Sequence, residues 1–501
     1  MSQFEIFISP KGPVLLEGEQ RIKAVDAVLK GRSQFGDIVS YTGMAKSSAS
    51  VALSKLADDG IIRTEGEGNE KRFLPLAIRI VTSVEPDLKG VINVLRRWDS
   101  SKGEKVILDN IEHIMAAYLM IEAHQHGVSI APILVETAKL LAQAAYDRTS
   151  GNGPDRAIDN LLDFFSRTAY AEVSCVSSFP PTFDIRIPYI RTETTRQSVL
   201  DIVYMLMTEY LSLMNGNTIH VSEINELRDD AGTVRITLGF NDMVPEYSNG
   251  RYHDFKFYET GFRDFAVYKV EGSYIPVSDG LELGIIECLS KHPSSSRDLS
   301  KELDVPQTTI LGHMKKMEGS KLVMSYRAGN RSIFVLSAEK VFAWSRPVSD
   351  SGPGGRRYLE LMWEHPEHIS QLFLSFIIVD SYTLGFDISS LMGYLGRRVA
   401  EMILGLSPAT TAEQIFSMIQ KESKRLTASE IVLKSYNPPT VVRVTDYDME
   451  PAIAECQKVF YNSVFATIFG RLMHIQFTVK NDKISGEGLR RYEASFIPKF
   501  G

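Results

Sequence analysis

Cysteine is scarce in this chain: three in 501 residues, Cys175, Cys288 and Cys456, with no two at C-x-x-C spacing. That excludes a disulfide framework and a zinc knuckle, and it fits a reducing compartment. Long apolar runs are also missing. The most hydrophobic stretch, LFLSFIIVDSYTLGF, is interrupted by Asp380 and is too short to cross a bilayer. The start MSQFEIFISPKG lacks the basic-then-apolar order of a secretory leader. A cytoplasmic protein without membrane contact is expected. Positive charge is not in excess: 55 Lys and Arg against 62 Asp and Glu leave a net charge of −7. Any contact with nucleic acid must therefore come from local patches. No P-loop, G-x-G-x-x-G, H-E-x-x-H or G-x-S-x-G pattern occurs. No catalytic constellation is read, no cofactor or metal is implied, and the chain is expected not to be an enzyme.

What is present is a repeat. FEIFI at Phe4 matches FAVYK at Phe265, and GNEKRFL at Gly68 matches GNRSIFV at Gly329, both 261 residues apart. Between these anchors Leu53, Leu56, Ile61 and Ile62 fall on Met314, Met317, Leu322 and Val323. Further on, HGVSIAPIL matches LGFDISSLM, and Pro180–Pro181 fall on Pro438–Pro439, at an offset of 258. Equal spacing at several anchors predicts a tandem duplication, with units of about 1–261 and 262–501.

Each unit opens with a small part. Ile22, Val25, Val28 and Leu29 keep helical spacing in EQRIKAVDAVLKG. A short helix, FGDIVSYTG, follows, then a helix from Lys46 to Asp59, with Ser47 or its neighbour as cap and Gly60 as stop. Two strands flank GEGNE. Unit two repeats the order through SSRDLSKELDVPQTTILGHMKKMEGSKLVMSYRAGNRSIFVLS. This stretch resembles the winged helix-turn-helix of ArsR-like archaeal and bacterial transcription regulators. In that family the third helix enters the major groove and the wing touches the backbone. The resemblance implies double-stranded DNA as partner. Lys46, Ser47, Ser48 and Ser50 would face it in unit one, and Gln307, Thr308, Thr309 and His313 in unit two, with Lys316 one turn on. The wings would add Lys71 and Arg72, and Arg327 and Arg331. The modules are weakly charged: residues 15–76 hold nine basic and nine acidic residues, residues 279–346 ten and eight. Unit two is expected to be the better reader. The paired cysteines of the family's metal sensors are absent.

The larger part of each unit reads as amphipathic helices, a hairpin around Pro-Pro, a long helix over about 194–214 or 449–470, and further strands. This order resembles the 4-vinyl-reductase-like sensor fold, related to haem-NO-binding and TRAPP-type domains, and LMGYLGRRVAEMILG is similar to its glycine-bearing helix. Unit one departs there, with Glu136 and Ala138 where unit two has Tyr394 and Gly396. The resemblance implies a cavity for a small apolar ligand, or a dimer face. No ligand-binding residue is assigned. The expected fold class is α+β: a tandem duplication of a winged helix-turn-helix and an α/β sensor-like domain. The boundaries are 1–83, 84–261, 262–347 and 348–501, and DSGPGGRR is read as a hinge.

The clusters His113, His124, His126 and His365, His368 read as surface or packed histidines rather than ligands. All three cysteines read as core, though Cys456 also fits a redox or acyl site. The expected function is a DNA-binding transcription regulator, its two winged helices acting as a fused pseudo-dimer under control of a ligand or partner in the sensor-like domains. It would be a monomer with internal pseudo-symmetry or a homodimer. The alternatives are a protein-interaction adaptor, favoured by the low basic charge and the apolar Val51 and Leu311, and an enzyme acting on a small apolar ligand.

Overall fold

A computed structural model describes residues 3–83, 119, 123, 128–168, 171–187, 193–227, 232–241, 264–271, 273–344, 355–383, 386–406, 411, 413, 414, 416, 417, 420, 429–446 and 448–499. The chain is α+β, with several small antiparallel sheets and helices packed on them. The first half runs β1 (Phe4–Ser9), β2 (Gly12–Glu17), α1 (Glu19–Leu29), α2 (Phe35–Thr42), α3 (Lys46–Asp58), β3 (Ile62–Glu65), β4 (Arg72–Pro75), β5 (Ile78–Ser83). It continues through β6 (Val128–Ser129), α4 (Ala131–Thr149), α5 (Ala157–Ser166), β7 (Glu172–Ser178), β8 (Pro181–Arg186), α6 (Glu193–Asn215), β9 (Thr218–Glu226) and β10 (Thr233–Asn241). The second half begins β11 (Phe265–Val270), β12 (Ser273–Val277), α7 (Gly280–Lys291), β13 (Ser294–Ser295), α8 (Ser296–Glu302), α9 (Gln307–Gly319), β14 (Val323–Ala328), β15 (Arg331–Leu336), β16 (Glu339–Trp344). After α10 (Arg356–Glu364) and α11 (Ile369–Thr383) come β17 (Phe386–Asp387), α12 (Ser389–Leu406), β18 (Ser429–Tyr436), β19 (Pro439–Thr445), α13 (Pro451–Met473), β20 (Phe477–Ser485) and β21 (Arg491–Pro498).

The two halves carry one element order. Helices α3 and α9 are offset by 261 residues at both ends, and α6 and α13 by 258. Strand orders agree too: β2-β1-β5-β6 against β12-β11-β16-β17, and β7-β8-β10-β9 against β18-β19-β21-β20. A cis X–Pro bond sits in the same hairpin of each half, at Phe179–Pro180 and Asn437–Pro438.

The edge hairpin β1–β2 explains how the parts of a half are joined. Strand β1 is buried along its whole length. Successive side chains point to opposite faces. Phe4, Ile6 and Ile8 enter the large core that also holds α4, α5 and α6. Phe7 enters the core of the three-helix unit α1–α3. In the second half Phe265 and Val267 belong to the large core, whereas Ala266, Tyr268 and Val270 belong to the three-helix core of α7–α9. Each of the two sheets built on β1 and β11 is thus a wall shared by two cores, so a shift on one face displaces the other.

Local signals place the three-helix units. Gly60 ends α3 with φ of 73°, and the Ile61 N–H returns to the Leu56 carbonyl at 2.9 Å, a left-handed helix stop that glycine adopts without Cβ strain. The expected serine cap does not form: α3 begins at Lys46 with Ala45 as N-cap and no side-chain bond, which places Ser47 already inside the first turn. Helix α8 does have a capping box, Ser295 with Asp298. The two larger parts meet through aromatic stacking of Phe164 on Trp363, ring centroids 4.5 Å apart. Arg167 donates to the Glu364 carbonyl at 2.9 Å, and Arg148 pairs with the Glu364 carboxylate. His113, His124, His126 and most of DSGPGGRR lie outside the described residues.

Candidate nucleic-acid interface and apolar cavity

Helix α3 turns Ala49, Ala52, Leu53 and Leu56 inward. The opposite face carries Lys46, Ser47, Ser50, Val51, Ser54 and Lys55, all exposed; Ser48 is half-buried at the edge. Val51 is 56% exposed, an apolar tip at the centre of this face. On the β3–β4 hairpin Lys71 and Arg72 are exposed, but Glu65, Glu67 and Glu70 share the same short loop. Arg63 spends its charge on Glu65 at 3.1 Å. This hairpin has no net positive charge to offer a phosphate.

Helix α9 turns Ile310, Met314 and Met317 inward. Gln307, Thr308, Thr309, Leu311, Gly312 and Lys315 are exposed. Thr308, Leu311 and Lys315 follow i, i+3, i+7 and so form one stripe. Lys315 was not among the residues singled out from sequence; helical phase relative to the buried Ile310, Met314 and Met317 is the signal that finds it. The β14–β15 hairpin places Arg327 and Arg331 in the open, and no acidic residue stands between them. Gln307 donates to Ser296 Oγ at 2.9 Å, which steadies its amide at the start of the helix.

His313 and Lys316 are engaged elsewhere. The Lys316 ammonium lies 2.7 Å from Glu282 Oε1, and His313 Nδ1 lies 3.1 Å from the same oxygen. Glu282 is buried at the start of α7, next to Asp279, which caps that helix by accepting from the Leu281 and Glu282 N–H groups. Those backbone bonds, the Glu282 N–H first, hold the Asp279 carboxyl below its ordinary range, with help from His313 and Lys316. Lys316 is raised by its bond to Glu282 and also feels Glu17 of the first half. Asp279, Glu282 and His313 bring three metal-competent atoms together, yet the Lys316 cation already neutralises Glu282. The cluster clamps α9 onto α7, while the Lys316 side chain stays 69% exposed.

Cys288 and Cys456 are buried as expected, whereas Cys175, on the half-exposed strand β7, is only half-buried. Burial pushes the Cys456 thiol up to about 12 and raises Cys288 and Cys175, so the thiolate needed for redox or acyl chemistry is disfavoured. His365 and His368 lie on an exposed turn, where His365 Nδ1 is 3.3 Å from Glu367.

The larger parts line a partly open apolar cavity of about 60 Å³. Its walls come from α4, α5 and α6 of the first half and from α11 of the second. Among the described residues no helix is long and apolar enough to cross a membrane. No protein-family model matches the chain, and no curated protein or solved structure matches it.

Proposed function

We propose that the chain is a cytoplasmic DNA-binding transcription regulator. In this reading each three-helix unit with its hairpin is a winged helix-turn-helix, and each larger part is a sensor-like domain of the 4-vinyl-reductase type. The second winged helix is the principal reader. The observation that carries this is the exposed α9 face of Gln307, Thr308, Leu311 and Lys315 beside a hairpin bearing Arg327 and Arg331 without an intervening acid. Gln and Thr read base edges, Lys and Arg hold phosphates, and Leu311 suits a thymine methyl. His313 and Lys316 leave the contact set and act as its support. The first winged helix, with a wing of no net charge, contributes position rather than affinity.

The test is fluorescence anisotropy with the DNA upstream of the protein's own coding sequence and a scrambled control, from about 50 to 200 mM salt. Tighter binding to the upstream DNA with a steep salt dependence is the expected result. Equal weak binding to both would end the regulator reading. A second reading, a protein-interaction adaptor, is favoured by exposed apolar side chains on the same surfaces: Val51, Leu311, Met324 at 58% and Tyr326 at 51% exposure. It predicts that Leu311→Ser and Tyr326→Ser abolish partner capture while Arg327→Ala and Arg331→Ala leave it intact.

A further inference from the structure

The cavity lies on the seam between the two halves, and its place has a physical origin. In the second half α12 crosses α13 so closely that a Cβ added to Gly396 would stand 2.4 Å from the Phe460 carbonyl oxygen. Gly393, one turn earlier, would meet Val459 and Ser463 at 3.3 Å. In the first half the corresponding positions on α4 are Val135 and Ala138, and Ala138 is fully buried. Its methyl stands in the way of the same approach, and α4 and α6 line the cavity at this crossing. Phe373, Leu374 and Ile377 of α11, from the other half, cover the gap without filling it.

We infer that this seam binds a small uncharged molecule with no hydrogen-bonding group, of the size of a single aromatic ring or a short hydrocarbon. The described lining residues are apolar but for one, from Leu134, Ala138 and Val203 to Phe164 and Phe373. The one hydroxyl among them, Thr168, already donates to the Phe165 carbonyl at 3.0 Å. A single water fills about 10–15 Å³ and needs two to four polar partners. The space is ample, the described lining residues offer no free polar partner, and an apolar cavity of this kind stays dry and accepts apolar guests. A polar guest leaves its hydroxyl or amide without a partner there. Because one wall belongs to α11, a guest bridges the halves. It also touches the core that lines one face of the β1 sheet, on whose other face the first winged helix packs. Occupancy follows from the walls alone; its effect on DNA rests on the regulator reading.

The experiment uses the full chain, with benzene and xenon as probes and phenol as the polar counterpart. Calorimetry and the fluorescence of Trp363, stacked on the lining residue Phe164, report binding. Benzene is expected to bind at least about tenfold more tightly than phenol. Two filling substitutions from opposite halves, Ala138→Leu and Leu374→Phe, are each expected to abolish benzene binding while the circular dichroism is kept. If one variant fails to fold, the other decides. No detectable benzene or xenon binding, phenol binding equal to benzene, or benzene binding that survives a folded filling variant overturns the proposal. Benzene binding with unchanged DNA anisotropy leaves the cavity standing and removes its regulatory role. Intact DNA binding with no benzene binding does the reverse.

Discussion

Position for position, the first half puts Val135 and Ala138 where the second puts Gly393 and Gly396, Glu5 where it puts Ala266, and Ile185 where it puts Arg443. The pairings are structural as well as numerical. Glu5 pairs with Leu16 and Thr82, Ala266 with Val277 and Ala343. Ile185 lies between Val173 and Val234, Arg443 between Ile431 and Tyr492. The strand order and register are common to both halves, while buried side chains at matching places differ in size and charge. The frame tolerates this because register is held by backbone ladders and turns, whereas interior volume and charge are set one side chain at a time.

The largest expected effect is at the tight crossing. Gly396→Ala forces a methyl against the Phe460 carbonyl, which is backbone and cannot swing away; a loss of about 3 kcal/mol is expected. Ala138→Gly, the reverse change in the first half, relieves nothing and costs about 1 kcal/mol in helix propensity. Equilibrium urea unfolding of the two variants checks the contrast, and equal losses would show that the two crossings are alike.

Next is the buried carboxyl of the first sheet. Burial pushes Glu5 from an ordinary 4.5 to about 7, against the pull of Arg79 at 3.3 Å. A folded-state value above the unfolded one means that the native protein holds the extra proton, so stability falls as pH rises from about 4.5 to about 7 and is level above that. The full difference is of order 3 kcal/mol. Glu5→Gln is expected to remove that slope, so that its advantage over the parent protein grows from about pH 5 to about pH 8. The second half, with Ala266, has no such group at this place. Parallel pH profiles for parent and variant would rule the difference out.

The wings come third. Arg327→Ala with Arg331→Ala is expected to weaken DNA binding about tenfold and to lower the salt slope by about two. Lys71→Ala with Arg72→Ala, on the wing that also carries Glu65, Glu67 and Glu70, is expected to change affinity less than about twofold. Anisotropy at two salt concentrations separates the pairs, and equal effects would mean that both halves read DNA alike.

The repeat, the helix phases of α1, α3 and α9, the Gly60 stop and the Pro-Pro hairpins were all legible in the residues, because each is a local pattern of a few positions. The two-sided sheets were not. FEIFIS buries both faces, so its side chains do not alternate between apolar and polar as a half-exposed strand does, and its pairing partner β5 stands some 70 residues away. The clamp on Lys316 was equally hidden, since Glu282 lies 34 residues upstream. The seam was beyond reach for the same reason. Nothing near α4 announces that Phe373 will cover it. What sequence did register was Ala138 against Gly396, the difference from which the cavity follows once the crossing is known.

The smallest expected effect is the most informative about how a copy diverges. Arg443 is 2% exposed, and its partners among the described residues are neutral: Ser429 Oγ at 3.1 Å, Gln457 Oε1 at 2.8 Å and the Tyr461 ring at 4.5 Å. A buried guanidinium gives up its hydration, and hydrogen bonds with a ring face roughly offset that loss. Ile185 shows that the same strand position in the same register accepts a branched aliphatic side chain. Replacing a buried charge by a packed apolar residue is often neutral, so Arg443→Ile is expected to change stability by less than about 1 kcal/mol. Gln457→Ala, which removes a partner and keeps the charge, should cost more, about 2 kcal/mol. Paired unfolding curves decide it. If Arg443→Ile proves the more damaging, the guanidinium is a structural keystone of the second half, and the two copies differ in how they fold as well as in what their interiors hold.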